Sequence, residues 1–261
     1  MRNFALITLL LFSVNCWAED KGISVETIAT IKHAVVPVVC AYPDENQHYQ
    51  IVDVSGTGFF VDTSGRFVTA DHVLDGWPEL QKRHPCVPAV YIPIHGWGGK
   101  FEKNIVSQFF FFVDCVRDHS LDLAVCALTK NPFDNPYVGK GTVTTVSFDT
   151  AEQFDGTPVA FTGFPIHRQA PITAIGYIGG MAIISPQQEG FDYFVDVAAW
   201  PGASGSPLYT SDGRVIGIIR AGGLREGEIG LSLARNAALI VDFLSKNPPK
   251  TQAQKQGEQK Q

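Results

Sequence analysis

The sequence lacks the features that would mark a nucleic-acid-binding or membrane-spanning protein. Only 20 of its 261 residues are Lys or Arg, against 26 Asp or Glu, which gives a formal net charge of −6. Such a chain has no basic excess to attract nucleic acid or an anionic membrane surface. No apolar run approaches the roughly 20 residues that cross a bilayer. We therefore expect neither a nucleic-acid partner nor an integral membrane segment.

Sequence patterns of metal and phosphate sites are also missing. There is no His-Glu-x-x-His and no short histidine spacing typical of zinc. The glycine pairs Gly98-Gly99 and Gly222-Gly223 are not followed by the Lys-Ser or Lys-Thr of a phosphate-binding loop. We expect no metal and no cofactor. Six histidines are interpreted as surface or structural residues: His33, His48, His84, His95, His119 and His167.

The N-terminus has the pattern of a secretory signal peptide. Arg2 precedes an apolar stretch from Phe4 to Val14, and Cys16 and Ala18 are small residues at the positions before a cleavage site. A lipid anchor on Cys16 is disfavoured because Asn15 is a poor neighbour for a lipidated cysteine. We therefore predict a signal peptide over residues 1–18 and export to the periplasm or the medium.

Few cysteines are present. Four follow the predicted cleavage site: Cys40, Cys86, Cys115 and Cys126. An even number in an exported chain permits disulfides, and three pairings are possible. Cys115 and Cys126 flank a short connection and could face each other across a hairpin. Buried free thiols are the alternative, since a chain of this length needs no disulfide for stability.

The rest of the chain has the short, turn-separated strands of an all-β protein. The segment from Thr129 to Gly141 contains Asn131-Pro132 and Asn135-Pro136 and is the predicted boundary between two halves. Apolar residues recur at helical spacing from Asn236 to Leu244, which predicts a C-terminal helix that ends before Pro248-Pro249. The polar residues 247–261 predict a disordered tail.

Three segments carry residues suited to nucleophilic catalysis. Phe67-Val68-Thr69-Ala70-Asp71-His72 ends an apolar run with a histidine, and Asp122-Leu123-Ala124-Val125 opens another with a carboxylate. Trp200-Pro201-Gly202-Ala203-Ser204-Gly205-Ser206-Pro207 presents a serine on a tight glycine-flanked turn. A serine hydroxyl needs a base within hydrogen-bond reach, and an imidazole suits neutral pH. Fifty residues or more separate these groups, so only folding can bring them together.

With Gly56-Thr57-Gly58-Phe59-Phe60 ahead of the histidine, the segments resemble, in family order, the trypsin-like (chymotrypsin-fold) serine proteases. The HtrA-type and glutamyl-endopeptidase-type bacterial branch is the most similar. The resemblance covers about residues 51–244. It implies an all-β domain over 19–246 with two six-stranded antiparallel β-barrels, at about 35–130 and 142–234, and a short helix at about 236–245. The remaining tail leaves no room for a PDZ domain.

The resemblance also implies roles for individual residues. Ser204 would be the nucleophile, His72 the general acid and base, and Asp122 the residue that orients the histidine. The backbone N–H groups of Gly202 and Ser204 would form the oxyanion hole. The implied activity is that of an exported serine endopeptidase that hydrolyses peptide bonds in protein or peptide substrates.

The specificity pocket would be walled by five residues: Ala198, Ala199, Arg220, Ala221 and Gly222. No acidic residue stands there, so cleavage after Lys or Arg is not expected. Small apolar walls favour a small or aliphatic side chain before the cleaved bond. Arg220 leaves open an alternative, since a guanidinium could hold a Glu or Asp side chain.

Two other functions compete with this interpretation. A protein that keeps the fold could be an inactive or latent binding protein. An esterase of the α/β-hydrolase type is disfavoured because Gly202-Ala203-Ser204-Gly205 is not Gly-x-Ser-x-Gly.

Asp118 competes with Asp122 but lacks the following Leu-Ala and is interpreted as a turn residue. Asp71, where the family more often has Ala or Asn, either couples to His72 or points to solvent.

Overall fold

The computed structural model describes residues 22–45, 48–83, 85–97, 106–185, 188–221 and 230–248. The predicted signal peptide, most of the predicted tail and Gly222 lie outside these ranges. The first half contains α1 (Val25–Lys32), β1 (Val35–Pro43), β2 (Tyr49–Phe60), β3 (Arg66–Thr69), α2 (Trp77–Arg83), β4 (Val87–Pro93), β5 (Ser107–Asp118) and β6 (Leu123–Leu128). The second half contains β7 (Ser147–Phe148), β8 (Pro158–Gly163), β9 (Ile172–Ser185), β10 (Gln188–Val195), β11 (Pro207–Tyr209), β12 (Arg214–Ala221), β13 (Ser232–Asn236) and α3 (Ala237–Lys246).

The first six strands form a closed antiparallel barrel in the order β1-β2-β3-β6-β5-β4. Its interior is filled by aromatic rings on alternate strand positions, because successive side chains of a strand point to opposite faces. Phe67 and Phe112 pack edge to face with ring centroids 5.1 Å apart, and Trp77 of α2 lies 5.2 Å from Phe112. Burying one such ring contributes about 2–3 kcal/mol.

The second half forms another antiparallel barrel, in the order β11-β8-β9-β10-β13-β12, closed by pairing of β11 with β12. The short strand β7 adds to β12 in parallel. Two closed six-stranded barrels and a C-terminal helix confirm the predicted fold class. None of the helices in the described ranges is long and apolar enough to cross a membrane.

A shared apolar cluster joins the two barrels. It combines Phe59 and Val68 of the first barrel with Tyr209 and Ile218 of the second. Both flanking helices pack into the same cluster, α1 through Ile31 and α3 through Ile240 and Phe243. Asn236 caps α3, because its side chain accepts a hydrogen bond from the Leu239 N–H at 3.2 Å. The barrels are therefore held against each other by a continuous core, and the face between them can carry a site built from both.

The structure differs from the sequence expectation around β2. The pattern predicts two strands, Ile51 to Val54 and Gly58 to Val61, with a break between them, whereas the structure has one strand of 12 residues. The glycines in this strand serve close packing. A Cβ on Gly56 would lie 2.6 Å from Val73, and one on Gly58 would lie 2.6 Å from Phe67.

Two disulfides lie in the first barrel. Cys40 is bonded to Cys86, linking β1 to the segment before β4, and Cys115 is bonded to Cys126 across β5 and β6. The second pair stands at directly opposed positions of the two strands, as the hairpin interpretation requires. The first pair forms because β1 and β4 run side by side, which the sequence does not reveal.

Candidate active site

His72 is presented by a short 3-10 turn, Asp71–Leu74, that follows β3. Val73 and Leu74 of the turn are buried in the first barrel, whereas the His72 side chain is 42% exposed. The apolar neighbours anchor the turn, so the imidazole is directed out of the core and remains accessible to a substrate.

Asp122 holds the His72 ring from the side opposite to solvent. Its two carboxylate oxygens each lie 3.0 Å from Nδ1 of His72, and Oδ1 also accepts the His72 backbone N–H at 3.0 Å. A carboxylate in this position favours the proton on Nδ1, which leaves Nε2 free to accept a proton. This pair has the arrangement of a general base with its orienting acid.

Asp122 occupies an unusual backbone conformation. Its φ is 54°, in the left-handed region that few residues other than glycine and asparagine or aspartate adopt. Its carbonyl oxygen accepts the Asp71 N–H at 3.2 Å, which ties the connection between β5 and β6 to the histidine turn. Strain of this kind is retained where surrounding contacts fix it, and here it directs the carboxylate at His72.

Asp122 is held in the ionised form. Burial raises the pKa of this carboxyl, but the hydrogen bonds and charge of His72 and the positive charge of Arg220 outweigh burial and bring the pKa below its usual value. An ionised Asp122 can stabilise an imidazolium that forms when His72 takes up a proton.

Ser204 lies on a turn that only glycine permits at two positions. Gly202 has φ +93° and Gly205 φ +86°, and a Cβ on Gly205 would lie 1.9 Å from the Thr57 carbonyl oxygen. Thr57 belongs to β2 of the first barrel. Its N–H donates to the Ser204 carbonyl and its hydroxyl donates to the Gly202 carbonyl, both at 2.8 Å. The serine turn of the second barrel is thus docked on a strand of the first.

The same turn leaves two backbone donors available. Ala203, Gly205 and Ser206 donate their N–H groups to backbone carbonyls. Within the described ranges, no acceptor is paired with the N–H of Gly202 or of Ser204. Two neighbouring free N–H groups are what an oxyanion hole requires.

The Ser204 hydroxyl donates to the carbonyl oxygen of Arg220 at 2.8 Å, not to His72. The Arg220 side chain in turn donates from Nε to Asp122 Oδ2 at 3.2 Å. The structure therefore places His72 and Asp122 in direct contact and connects Ser204 to them through Arg220. Rotation about the Cα–Cβ bond of Ser204 would release its hydroxyl from this carbonyl.

A cavity of about 320 Å³ opens beside His72. Its walls include Ser55 of β2 and Trp77 and Leu80 of α2. The Trp77 indole N–H donates to the Ser55 hydroxyl at 2.9 Å, which fixes the helix against the strand. The helix α2, which the sequence did not predict, therefore forms one side of the cleft next to the imidazole.

Four of the five predicted pocket residues lie within the described ranges, and they differ in burial and in their contacts. Ala199 is buried and Ala198 is half-buried on the segment leading to Ser204, while Ala221 ends β12. The interpretation of Arg220 as a ligand for an acidic substrate side chain needs correction. Its guanidinium contacts the carboxylates of Asp122 and Asp192. The two opposing charges neutralise it, so the acidic-substrate alternative loses the free cation it depends on.

Asp71 does not point to solvent, so that alternative for this residue is wrong. Its side chain is 4% exposed and pairs with Arg117 and His119, and Arg117 also pairs with Asp75. Oxygen and nitrogen atoms of Asp71, Asp75 and His119 lie close enough to hold a cation, but Arg117 already supplies the positive charge between the two carboxylates.

Asp118 is a turn residue, as its sequence context indicates. Its carboxylate accepts the backbone N–H groups of Ser120 and Leu121, both at 3.0 Å. Sequence reasoning missed three other residues near the site: Thr57, Asp192 and Arg235. Thr57 lies in the Gly56-Thr57-Gly58-Phe59-Phe60 motif that carries the family resemblance, and this motif is the signal that could have revealed it. The two charged residues carry no local pattern that could have revealed them.

The cleft between two antiparallel barrels, with the histidine and aspartate on the first and the serine on the second, defines the class of trypsin-like serine protease folds. The model of the trypsin-like peptidase domain family matches residues 56–218. The chain belongs to this family. No curated protein matched the chain in sequence.

Solved structures agree with this fold. The active form of the Rv3671c protease from M. tuberculosis has a TM-score of 0.59 at 18% identity, over 86% of this chain and 85% of that one. Its inactive form has a TM-score of 0.55 at 19% identity, over 84% and 91%. Deg5 has a TM-score of 0.58 at 17% identity, over 84% and 90%.

Proposed function

We propose that the protein is a serine endopeptidase that uses Ser204 as nucleophile, His72 as general base and acid, and Asp122 to orient His72. The observation that carries the proposal is the pair of 3.0 Å contacts between His72 Nδ1 and Asp122. The serine turn beside this pair has two N–H donors, of Gly202 and Ser204, that are unpaired among the described residues. Family membership alone does not establish catalysis, and the local geometry supplies the argument for it.

In the proposed reaction, the Ser204 hydroxyl leaves the Arg220 carbonyl and turns toward Nε2 of His72. The imidazole takes the hydroxyl proton as the oxygen attacks the substrate carbonyl. The negative charge that develops on the carbonyl oxygen is stabilised by the N–H groups of Gly202 and Ser204, each contributing about 3 kcal/mol. His72 then returns the proton to the leaving amine, and a water molecule hydrolyses the acyl-enzyme by the same steps.

The proposed substrates are peptide bonds that follow a small or aliphatic side chain. This rests on the alanines at positions 198 and 199, and on the neutralisation of Arg220 by two carboxylates. Export through a signal peptide over residues 1–18 is part of the proposal. It is supported by the two disulfides, since disulfides persist in oxidising compartments.

Fluorophosphonate labelling tests the catalytic proposal, because only an activated serine reacts quickly. The protein from residue 19 onward should label, and Ser204→Ala should not. Cleavage-site mapping on an unfolded protein should give cuts after small or aliphatic residues. Cuts after Glu or Asp would overturn the proposed specificity, and cuts after mixed residue types would show that the pocket does not select.

A latent protease is the second candidate, and one observation favours it. The Ser204 hydroxyl donates to Arg220 and so is not on the imidazole in this conformation. A folded wild-type protein that labels as slowly as free serine would support latency and contradict the proposal of a constitutively active enzyme.

A further inference from the structure

Four side chains of alternating charge form a row that begins at Asp122, the proposed orienting residue, and extends into the second barrel. Arg220 donates from Nε to Asp122 Oδ2 at 3.2 Å and from Nη1 to Asp192 Oδ2 at 2.8 Å. Arg235 donates from Nε to the other oxygen of Asp192 at 2.7 Å. We call Asp122, Arg220, Asp192 and Arg235 the charge chain.

The far end of the charge chain lies deep in the protein. The Arg235 side chain is fully buried, and Asp192 is 8% exposed. The Nη1 and Nη2 groups of Arg235 are buried without a hydrogen-bond partner in the described part of the chain. A buried guanidinium needs neighbouring negative charge to remain ionised. Asp192 is therefore held between two cations and cannot move without leaving Arg235 uncompensated.

The charge chain connects the two barrels at the reacting end of the site. Asp122 comes from the first barrel, and Arg220, Asp192 and Arg235 come from β12, β10 and β13 of the second. Register explains the grouping, since Arg235 opposes Asp192 across the β10–β13 pair. Arg220 reaches Asp122 from this rigid support, and a planar guanidinium can bind two carboxylates at fixed angles.

Arg220 also touches the nucleophile. Its backbone carbonyl accepts the Ser204 hydroxyl, while its side chain binds the oxygen of Asp122 that faces away from the His72 backbone. One residue thus contacts two of the three proposed catalytic groups. The His72 backbone N–H holds Oδ1 of Asp122 from the first barrel, and Arg220 restrains Oδ2 from the opposite barrel.

We propose that Arg220, fixed by Asp192 and Arg235, is a positioning residue that holds the Asp122 carboxylate in the orientation that His72 requires. The proposal rests on the function proposed above. Arg220 acts in two separable ways. Its planar side chain sets the geometry of Asp122, and its positive charge favours the ionised form of that carboxyl.

The charged groups around Asp122 come from several elements. His72 faces it from the 3-10 turn, Arg220 from β12, and Arg235 acts at longer range from β13. Asp71, Arg117 and His119 form a separate cluster on the other side of the histidine turn. Removing Arg220 therefore changes the charge next to the Asp122 and His72 pair and leaves the second cluster intact.

The test is the rate constant of fluorophosphonate labelling at pH 7 for Arg220→Met and Arg220→Lys. Arg220→Met should lower the rate constant at pH 7 by roughly 10- to 100-fold, because a displaced orienting group misaligns the base.

Arg220→Lys keeps the charge but cannot bridge two carboxylates in one plane. It should label more slowly than the wild type and faster than Arg220→Met. Arg66→Met is the matched control, because Arg66 is also largely buried and ion-paired, with Asp62, but contacts no residue of the site. Its labelling rate should equal that of the wild type.

The outcomes separate this inference from the proposed function. A folded wild type whose labelling does not depend on Ser204 would refute the proposed function, and the inference would fall with it. A wild type that labels at Ser204, with an Arg220→Met variant of unchanged rate, would overturn the inference alone. If Arg220→Met does not fold, a wild-type labelling rate in Arg220→Lys would overturn it equally.

Discussion

Gly202→Ala is the most direct perturbation of the proposed oxyanion hole. The new Cβ would lie 2.4 Å from the carbonyl oxygen of Phe164, and the residue would keep a φ of +93°. The turn would have to move by about 0.6 Å to bring that contact to 3.0 Å. Oxyanion donors act within a window of about 0.4 Å, from roughly 2.7 to 3.1 Å. The displacement exceeds this window, so we expect kcat/KM to fall by about 100-fold or more.

Gly213→Ala is the matched control for this change. Gly213 has a similar φ of +78°, but a Cβ there would meet only Thr27 Cγ2, at 3.6 Å. The left-handed backbone should cost either variant about 1–2 kcal/mol of unfolding free energy, with an additional loss from the collision in Gly202→Ala. Gly213→Ala should retain the kcat/KM of the wild type, because it lies outside the serine turn.

The assay combines kcat/KM on a peptide chosen from mapped cleavage sites with urea unfolding of the same preparations. Activity and stability should separate, with both variants destabilised but only Gly202→Ala inactive. Wild-type kcat/KM in Gly202→Ala would refute the assignment of its N–H as an oxyanion donor. Equal losses of activity in the two variants would show that backbone strain, and not the position of the donor, controls the rate.

Three further changes probe other parts of the structure. Thr57→Val removes a buried hydroxyl that accepts the Phe164 N–H and donates to the Gly202 carbonyl. This change should lower the unfolding free energy by about 1–3 kcal/mol and slow labelling. Urea unfolding identical to that of the wild type would contradict this expectation. Replacing both Cys40 and Cys86 by Ala opens a link across 46 residues, which should lower the unfolding free energy by about 4 kcal/mol; a loss below that of the corresponding Cys115 and Cys126 variant would show that loop length does not set the order. Because the pKa of Asp122 is lowered on folding, its ionisation stabilises the protein above the unfolded value of about 3.9, and this contribution is lost as the pH falls through the folded value. The stability difference between wild type and Asp122→Asn should therefore shrink on acidification below about pH 4, and a difference that does not change with pH would argue against the pKa shift.

The strands and the positions of the proposed catalytic residues followed from local patterns. Short continuous apolar runs mark β6 and β12, and glycines on either side of Ser204 mark a turn with left-handed residues. Such features depend on a few neighbouring residues, so the sequence alone contains them. The expected break between Val54 and Gly58 is absent, because glycine serves both turns and close packing, and only the fold shows which applies.

The charge chain could not be predicted for a different physical reason. Arg220 was interpreted as a wall of the specificity pocket, and the sequence offered no sign that Asp192 and Arg235 stand beside it. Ion pairs between distant residues depend on strand register and on the docking of the two barrels. A charged residue in isolation is more often exposed than buried, so its burial becomes visible only when the neighbouring strands are in place.

The docking of the serine turn on Thr57 makes chemical reactivity a measure of how the two halves of the molecule fit together. Each barrel has its own core, so either could remain folded while the two slide slightly apart. A slip of half an ångström would pull the turn away from the histidine with almost no change in strand content. Under mild denaturation we expect labelling to disappear before the circular dichroism changes, because the two barrels separate before either one unfolds.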